Sequence, residues 1–571
     1  MSLGVHIHST KFTEAIGLKK LLSFLSVLIV ALVLVAGCQS DETSDKSENG
    51  DDGIKEFTAF IAVPGTELPD DNRMLNKIAE KIGAKADVKW LTGQTAKERI
   101  GVMIAGGEYP DFVDASDGTP EMVEAGAFVP LDDYIDDYPN IKNLFTEQEW
   151  NLIRSAHGKI YYIPQFGVVK GEYMRTQHNG EAFWIQKRVL KWAGYPEITT
   201  LDEYFDLIEA YLEANPESED GQKNIGFAII TDDWRYFALE NPPQFLAGYP
   251  NDGKAIVDPE TLEAKVYDTI PEAKIYFKKL NEMYNKGIID PETFTMNYDQ
   301  YLAKISSGRV LGMVDQYWQF SDAENSLRSQ GMDDRTYVPL DLVIDPNVTP
   351  QYLDKPHVNP ARGLGITVSC EDVEGALQFL NDLLDPEVMI MRYWGEEGVD
   401  YEVDENGRFY RTEEQRANHR DTNWVTQNKA DYNYFPTYEG LIEGTQNAVH
   451  PSEQPEEFWD SLTDIDREVL EAYGYEKWTD FLTPVEENKP WYPIYSAVDS
   501  WTADTPEGIA AVKMDEVKKQ WLPKVIMAPT NEFEREWEEY MTVYHNEVDI
   551  EAYEKALTEE VRRRVEAALG N

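Results

Sequence analysis

The chain contains very few of the residues that form disulfides or bind metals. Only two cysteines, Cys38 and Cys370, occur in 571 residues. They exclude a disulfide framework and a cysteine-rich zinc or iron–sulfur site. The eight histidines are scattered and form no HExxH motif. The sequence therefore predicts neither a metal site nor a cofactor.

Positive charge is also scarce. Lysine and arginine total 52 against 105 aspartates and glutamates, which gives a formal net charge of -53. Such a field repels nucleic acid and anionic lipid, so we expect no nucleic-acid partner. Hydrophobic residues make up 42% of the chain and aromatic residues 12%, which is enough to exclude overall disorder. The length predicts two or more lobes.

Signatures of common enzymes are missing as well. The sequence has no GxSxG elbow, P-loop or dinucleotide-binding fingerprint. Pairs of carboxylates are inevitable among so many acidic residues, so their presence does not indicate general acid/base catalysis. These absences alone do not decide between a binding protein and an enzyme such as a secreted glycoside hydrolase or lyase, and both stay open at this point.

The N-terminus has the pattern of an export signal. Lys19 and Lys20 precede an apolar run of 16 residues, Leu21 to Ala36, which is shorter than the roughly 20 residues of a spanning helix. The run ends in Val35-Ala36-Gly37-Cys38, which resembles a bacterial lipobox. We expect residues 1–37 to be a lipoprotein signal peptide and Cys38 to be acylated. Residues 38–53 then form a disordered acidic tether that holds the protein on the extracellular face of the membrane.

From residue 54 onward, strands and helices alternate. The run 54–63 is typical of a strand, and a helix follows, with Asp70 or Asp71 as its cap and Gly83 as its end. Capping boxes open further helices at Thr95 and at Thr200. The chain becomes mainly helical after about residue 404 and ends in an amphipathic helical pair at 531–569. This order predicts an α/β fold with mostly parallel sheets and binding loops at the strand ends.

Nine stretches carry a more specific signal through their shared order. They are IAGGEYPDFVDA (104–115), VEAGAFVPLDDYI (123–135), GKIYYIPQ (158–165), FWIQKRVLKWAGYPEITTLDEYF (183–205), FLAGYPNDG (245–253), LNEMYNKGIIDPETF (280–294), SSGRVLGMVDQYWQF (306–320), YWGEEGVDYEVDENGRF (393–409) and LPKVIMAPTNEFEREWEEY (522–540). Together they resemble family 1 extracellular solute-binding proteins of bacterial ABC sugar importers, particularly the long lipoproteins of Gram-positive bacteria.

The resemblance implies a type II periplasmic-binding-protein-like fold, with two lobes, a hinge and a ligand cleft between the lobes. Lobe 1 would comprise residues 54–165 and 366–394, and lobe 2 residues 170–362 and 397–571. Chain crossings at 158–165, 361–370 and 395–402 would form the hinge. The function implied is capture of an oligosaccharide for delivery to permease subunits, by a protein that we expect to be monomeric. The same fold could instead bind a peptide or a compatible solute.

Candidate ligand residues combine flat aromatic rings with hydrogen-bonding groups, as sugar binding requires. Two stretches, 232–237 and 315–320, have both chemistries where a strand meets a loop. Trp184 sits in an apolar strand and is expected to be buried. The predicted ligand contacts are Tyr109, Asp111, Asp232, Trp234, Arg235, Asp315, Gln316, Tyr317, Trp318, Asn359, Arg362 and Trp394.

The sequence of one loop bears on whether the protein binds calcium. Some relatives carry a DxNxDG-like calcium loop at the position of NPESEDGQKN (215–224). Pro216 and Ser218 interrupt the alternation of oxygen ligands that such a loop needs. We therefore expect an ordinary loop here.

Overall fold

A computed structural model describes residues 53–250, 255–485 and 488–568. The compact unit of interest begins at Lys55. The predicted signal peptide, Cys38 and all of the predicted tether except Gly53 lie outside the described residues. Within the described ranges, no helix is both long enough and apolar enough to span a membrane.

Fourteen strands are described. They are β1 Lys55–Ile61, β2 Ala84–Trp90, β3 Phe112–Asp114, β4 Val169–Lys170, β5 Glu181–Gln186, β6 Ile225–Ala228, β7 Ile256–Val257, β8 Ala264–Lys265, β9 Val310–Gln316, β10 Tyr337–Leu340, β11 Leu364–Ile366, β12 Glu402–Val403, β13 Phe409–Tyr410 and β14 Glu439–Gly440.

The α-helices connect and cover these strands. They are α1 Arg73–Ile82, α2 Ala96–Gly106, α3 Thr119–Glu124, α4 Pro139–Lys142, α5 Glu147–His157, α6 Lys187–Ala193, α7 Leu201–Ala214, α8 Phe237–Glu240, α9 Pro242–Leu246, α10 Pro271–Asn285, α11 Tyr298–Ser306, α12 Tyr317–Ser329, α13 Val373–Leu383, α14 Pro386–Tyr393, α15 Glu413–Arg420, α16 Thr422–Asn428, α17 Pro455–Ser461, α18 Asp464–Tyr473, α19 Tyr495–Asp499, α20 Pro506–Met527, α21 Phe533–Glu547 and α22 Ile550–Ala568.

Local sequence signals account for several helix ends. Both predicted capping boxes are present: Thr95 accepts the amide of Glu98 and Thr200 that of Glu203, which satisfies donors left open at a helix start. Gly83 ends α1 at a φ of 73°, a left-handed conformation that glycine adopts without strain. The predicted cap of α1 was wrong, because Asn72 caps this helix in place of Asp70 or Asp71.

The fold is α/β and two-lobed, with one four-stranded sheet in each lobe. The first sheet has the order β11-β3-β1-β2, in which β1 runs parallel to β2 and β3, and β11 runs antiparallel to β3. The second has the order β10-β5-β9-β6, with β5 antiparallel to both neighbours and β6 parallel to β9. Every residue of β5 is buried, including Trp184 as expected. The predicted C-terminal helical pair is also confirmed as α21 and α22.

The chain passes three times between the largest hydrophobic core of the first lobe and that of the second. Val168 packs in the first core and Ala182 in the second, and the chain returns to the first core by Val358. The last passage lies between Val449 and Phe458. β4, in the first passage, pairs in parallel with β14, which lies shortly before the third passage. These passages form the hinge between the lobes.

All three passages differ from their predicted positions, because the first core still includes Val168, after 158–165, and already includes Val358, before 361–370; the third passage differs most. Residues 395–402 do not leave the first lobe, because Trp394, Tyr401 and Phe409 pack together in its core, with ring centroids 4.8–5.7 Å apart. Buried side chains up to Val449 belong to the same core. The boundary drawn at residue 397 is therefore corrected: much of 401–449 completes the first lobe. The sequence concealed this because a helical, aromatic segment can cover either sheet.

A buried ionic cluster ties three helices of the second lobe together. The Lys187 Nζ lies 2.7 Å from the Thr336 hydroxyl and also binds the carboxylate of Asp466, which Arg328 contacts at 2.9 Å. Lys187 and Asp466 are almost completely inaccessible to solvent. Burial alone would raise the pKa of Asp466, but the two cations outweigh it and lower that pKa. The carboxylate is therefore ionised and paired.

Candidate functional site

A cavity of about 2500 Å³ lies between the two lobes. It opens at the carboxyl ends of the parallel strands: Asp114 ends β3, Trp90 ends β2, and Gln316 ends β9. Loops that follow such strand ends are the usual ligand-binding position in an α/β sheet. Because both lobes supply lining residues, a ligand here would touch both.

The wall formed by the second lobe is an aromatic platform. The rings of Trp234 and Trp318 are nearly parallel, at 11°, with centroids 5.8 Å apart, and Phe237 stacks beside Trp234 at 6.0 Å. Both tryptophans expose more than a third of their surface. The Trp318 indole N–H donates to the side-chain oxygen of Gln316 and is thereby oriented. The stacked pair thus presents exposed indole surface to the cavity.

A buried arginine lies within this platform. The Arg235 guanidinium carbon is 4.5 Å from the centre of the Trp234 ring and 3.8 Å from that of Tyr298. Only 7% of the residue is exposed, and its Nε has no hydrogen-bond partner among the described residues. Burial lowers the pKa of Arg235, whereas Tyr298 and Asp232 oppose that shift. A polar ligand atom would supply the missing acceptor.

The wall formed by the first lobe is aromatic as well. The Tyr434 ring meets Trp90 edge-on at 5.9 Å and Phe166 at 5.2 Å, and about half of Phe166 is exposed. Gly65 is needed beside this group, since a Cβ atom there would overlap the Trp90 indole. Tyr434 itself has a φ of 66°, which turns the chain sharply at the wall. Aromatic rings therefore line the cavity on both sides.

Polar groups at the second passage complete the lining. Arg362 lies 3.5 Å from the carboxylate of Asp117, in the loop after β3. Asn359 contacts Asp499 at 3.4 Å and accepts the amide of Ala361 at 2.9 Å. These donors and acceptors stand beside the hinge, where their spacing depends on how far the lobes close.

A family model described as "Bacterial extracellular solute-binding protein" matches residues 74–396, more than half of the chain. The chain belongs to this family. The match starts in the first helix and ends just after α14, so it covers the second sheet, every strand of the first sheet except β1, and the first two passages of this solute-binding protein.

Curated relatives of this solute-binding protein are remote. Lipoprotein LipO of Bacillus subtilis (strain 168) is 24% identical over 66% of this chain and 73% of its own. The fructooligosaccharide ABC transporter substrate-binding protein FusA of Streptococcus pneumoniae is 26% identical over 49% of this chain and 54% of its own. The polygalacturonan/rhamnogalacturonan-binding protein YtcQ of B. subtilis is 25% identical over 51% of this chain and 57% of its own. The chain thus spans little more than half of the last two relatives.

Solved structures agree on the fold across nearly the whole protein. A FusA EF-hand mutant in complex with fructo-nystose superposes with a TM-score of 0.62 at 16% identity, covering 90% of this chain and all of that one. A solute-binding protein from Bifidobacterium longum infantis, described as binding HMO, superposes with a TM-score of 0.60 at 15% identity. The superposition covers 89% of this chain and 99% of that one. At such identities the likeness establishes the two-lobed fold alone.

Half of the residues predicted as ligand contacts line the cavity of this solute-binding protein. The six are Trp234, Arg235, Gln316, Trp318, Asn359 and Arg362. The structure brings them to one site from the turn after β6, the start of α12 and the second passage. Their contact with ligand stays a prediction.

Three predicted contacts do not line the cavity: Asp315 and Trp394 are buried, and Tyr317 is partly buried against the core of the second lobe. Asp315 is fully buried and accepts hydrogen bonds from Tyr301 at 2.7 Å and Gln319 at 2.5 Å. Burial raises the pKa of Asp315 to about 7, although these bonds oppose the shift. Tyr317 packs on Trp184, and the Trp394 indole donates to the Ala448 carbonyl inside the first lobe. Asp315 and Trp394 thus pack in the interior, whereas Tyr317 keeps part of its surface exposed.

Three others lie near strand ends but do not line the cavity. Asp232 accepts the amide of Tyr298 at 3.0 Å and so shapes the wall from behind. Asp111 binds the amide and hydroxyl of Thr58, at 2.7 and 2.8 Å, and Tyr109 stands beside it. Both precede β3, at the amino end of the strand, whereas the cavity opens at the carboxyl end. Tyr109 and Asp111 therefore lie at the end of β3 that points away from the cavity.

Several lining residues escaped the sequence interpretation. Asp322 and Asn325 share a face of α12 with Trp318, because they follow it by four and seven positions. Helical spacing could have found both residues. No comparable signal marks Tyr298, which stands far along the chain from Trp234 and meets Arg235 only in the folded protein.

The loop 215–224 is held by its own hydrogen bonds. Asp220 accepts the hydroxyl of Ser218 at 2.5 Å and the amide of Gln222 at 3.1 Å. Across the described part of the chain, no group of three or more histidine, cysteine or acidic side chains is arranged to hold a metal ion.

Proposed function

We propose that this protein is the extracellular, lipid-anchored receptor of an ABC importer and that it captures an oligosaccharide between its lobes. The observation that carries the proposal is the pair of aromatic walls that face one cavity, with Arg235 and Arg362 beside them. Sugar rings present apolar C–H faces and polar edges, so they require flat rings together with fixed hydrogen-bonding groups. The printed names of FusA and YtcQ point to the same ligand class.

The hinge supplies the mechanism. A sugar stacked on Trp234 and Trp318 would also meet Tyr434 and Phe166 once the lobes approach. Because the ligand then contacts both walls only in the closed form, its binding shifts the population toward closure. Permease subunits would recognise this closed form.

Thermal unfolding in the presence of glycans tests the proposal. We expect an oligosaccharide that binds the cleft to raise the melting temperature, since a ligand at 100 times its Kd stabilises the folded state by about 2.7 kcal/mol. The same samples, separated by chromatography, should contain the intact glycan. Shortened glycans would identify a hydrolase or lyase, and a shift seen only with peptides or compatible solutes would reassign the ligand.

Labelling with palmitate tests the anchor. Replacing Cys38 with Ala should abolish incorporation of the label in a bacterial host, because the thiol is the only acceptor at the lipobox. Cys370→Ala is the matched control: that thiol is buried and should not affect labelling. Undiminished labelling of the Cys38 variant would refute the anchor while leaving the ligand proposal intact.

A further inference from the structure

We propose that the cleft selects neutral oligosaccharides over chains of uronic acids. This inference rests on the proposed function and narrows it to one charge class of ligand. It is carried by carboxylates around the platform of the second lobe and by the pairing of the cations in the cavity.

Three exposed carboxylates surround the platform. Asp233 precedes Trp234, Asp299 follows Tyr298, and Asp322 lies one helical turn beyond Trp318. All three line the cavity. Among the described residues, none of these carboxylates has a hydrogen bond or an ion pair. They are therefore open acceptors beside the surface on which a sugar would stack.

One cation stands among these three acids. The Arg235 guanidinium is covered on its faces by the Trp234 and Tyr298 rings, so only its edge can reach a ligand. Asp232 lies near it and adds to the negative field. The local charge at the platform is negative even with Arg235 fully protonated.

The whole cavity repeats this imbalance. Its lining includes 15 aspartate or glutamate residues and 10 lysine or arginine residues. Seven of these ten cations are already within 4 Å of an acidic partner, such as Arg362 with Asp117 and Lys429 with Asp431. A chain of uronates, with one negative charge per sugar, would meet few uncommitted cations.

Neutral sugars suit these groups better. Each hydroxyl can donate to an open carboxylate, and charge-assisted hydrogen bonds of this kind are stronger than neutral ones. A uronate carboxylate has no proton to donate at neutral pH, and it would stand near like charges in a partly desolvated cleft. Binding energy and repulsion therefore both favour an uncharged ligand.

A charge-matched glycan panel tests the inference. Fructo-, manno- and xylo-oligosaccharides would be compared by thermal shift with oligogalacturonate and alginate oligosaccharides of the same length. At least one neutral glycan should bind about tenfold more tightly than any uronate. In the triple variant Asp233→Asn, Asp299→Asn and Asp322→Asn, this preference should fall by about tenfold.

The control variant removes the same charge elsewhere. Glu538→Gln, Glu539→Gln and Glu551→Gln alter exposed helix residues outside the cavity, and the preference should not change. Tighter binding of a uronate, or of a cationic glucosamine oligomer, by the unmodified protein would overturn the inference but not the proposed function. Equal loss of preference in both triple variants would also overturn it. A panel without any binding glycan would refute the proposed function and the inference together.

Discussion

Replacing Trp318 or Trp234 with Ala is expected to weaken oligosaccharide binding by about 30-fold or more. Truncation of an aromatic anchor in a binding site commonly costs about 2 kcal/mol or more. These two rings are parallel and both are exposed to the cavity. At 100 times the Kd of the unmodified protein, the stabilisation by ligand should therefore fall from about 2.7 to about 0.9 kcal/mol, and the rise in melting temperature should shrink to about a third.

Trp192→Ala is the matched control for both variants. Trp192 exposes 47% of its surface, as much as Trp318, but it lies on α6 and does not line the cavity. All three variants should keep the same circular dichroism spectrum. If the Trp234 and Trp318 variants both retain the full ligand-induced shift, the ligand does not bind on this platform.

Of all these substitutions, Asp466→Asn should lower the free energy of unfolding the most. The substitution leaves Lys187 buried with one fewer counter-charge and deprives Arg328 of a partner at 2.9 Å. Breaking a buried ion pair by removing one partner typically costs roughly 3–5 kcal/mol, because an uncompensated charge stays buried. Asp466 also accepts the amide of Thr463 at the start of α18, which adds to the loss.

Denaturation by urea, followed by tryptophan fluorescence, would measure the loss. Asp464→Asn is the control, because this exposed residue occupies the first turn of the same helix and removes the same charge. It should cost less than about 1 kcal/mol through the helix dipole. Equal destabilisation by both substitutions would show that the buried pairing contributes nothing beyond helix capping.

Sequence reasoning predicted what depends on local chemistry. The capping boxes at Thr95 and Thr200, the end of α1 at Gly83 and the burial of Trp184 each follow from a few neighbouring residues. The two-lobed fold was also predicted, through the order of motifs along the chain. The helical pair at the C-terminus was visible from its period of apolar residues.

What failed depends on contacts that are distant in the chain. Asp315 and Trp318 have the same local context at the end of β9, yet one is fully buried and the other exposed. The hydroxyl of Tyr301, 14 residues earlier on α11, donates to Asp315 in the folded protein, and no local pattern shows this contact. The third passage was misplaced for a similar reason. Tyr401 packs in the core of the first lobe, and the residues next to it in the sequence do not show which core it joins.

The repeated passage between cores sets the order in which the protein can mature. The first core includes Val449 and the second includes Val561, so neither is complete while only the first two-thirds of the chain has been made. A growing chain would normally fold its N-terminal domain first. Here neither core is complete until sequence far downstream has been made, the first at Val449 and the second at Val561.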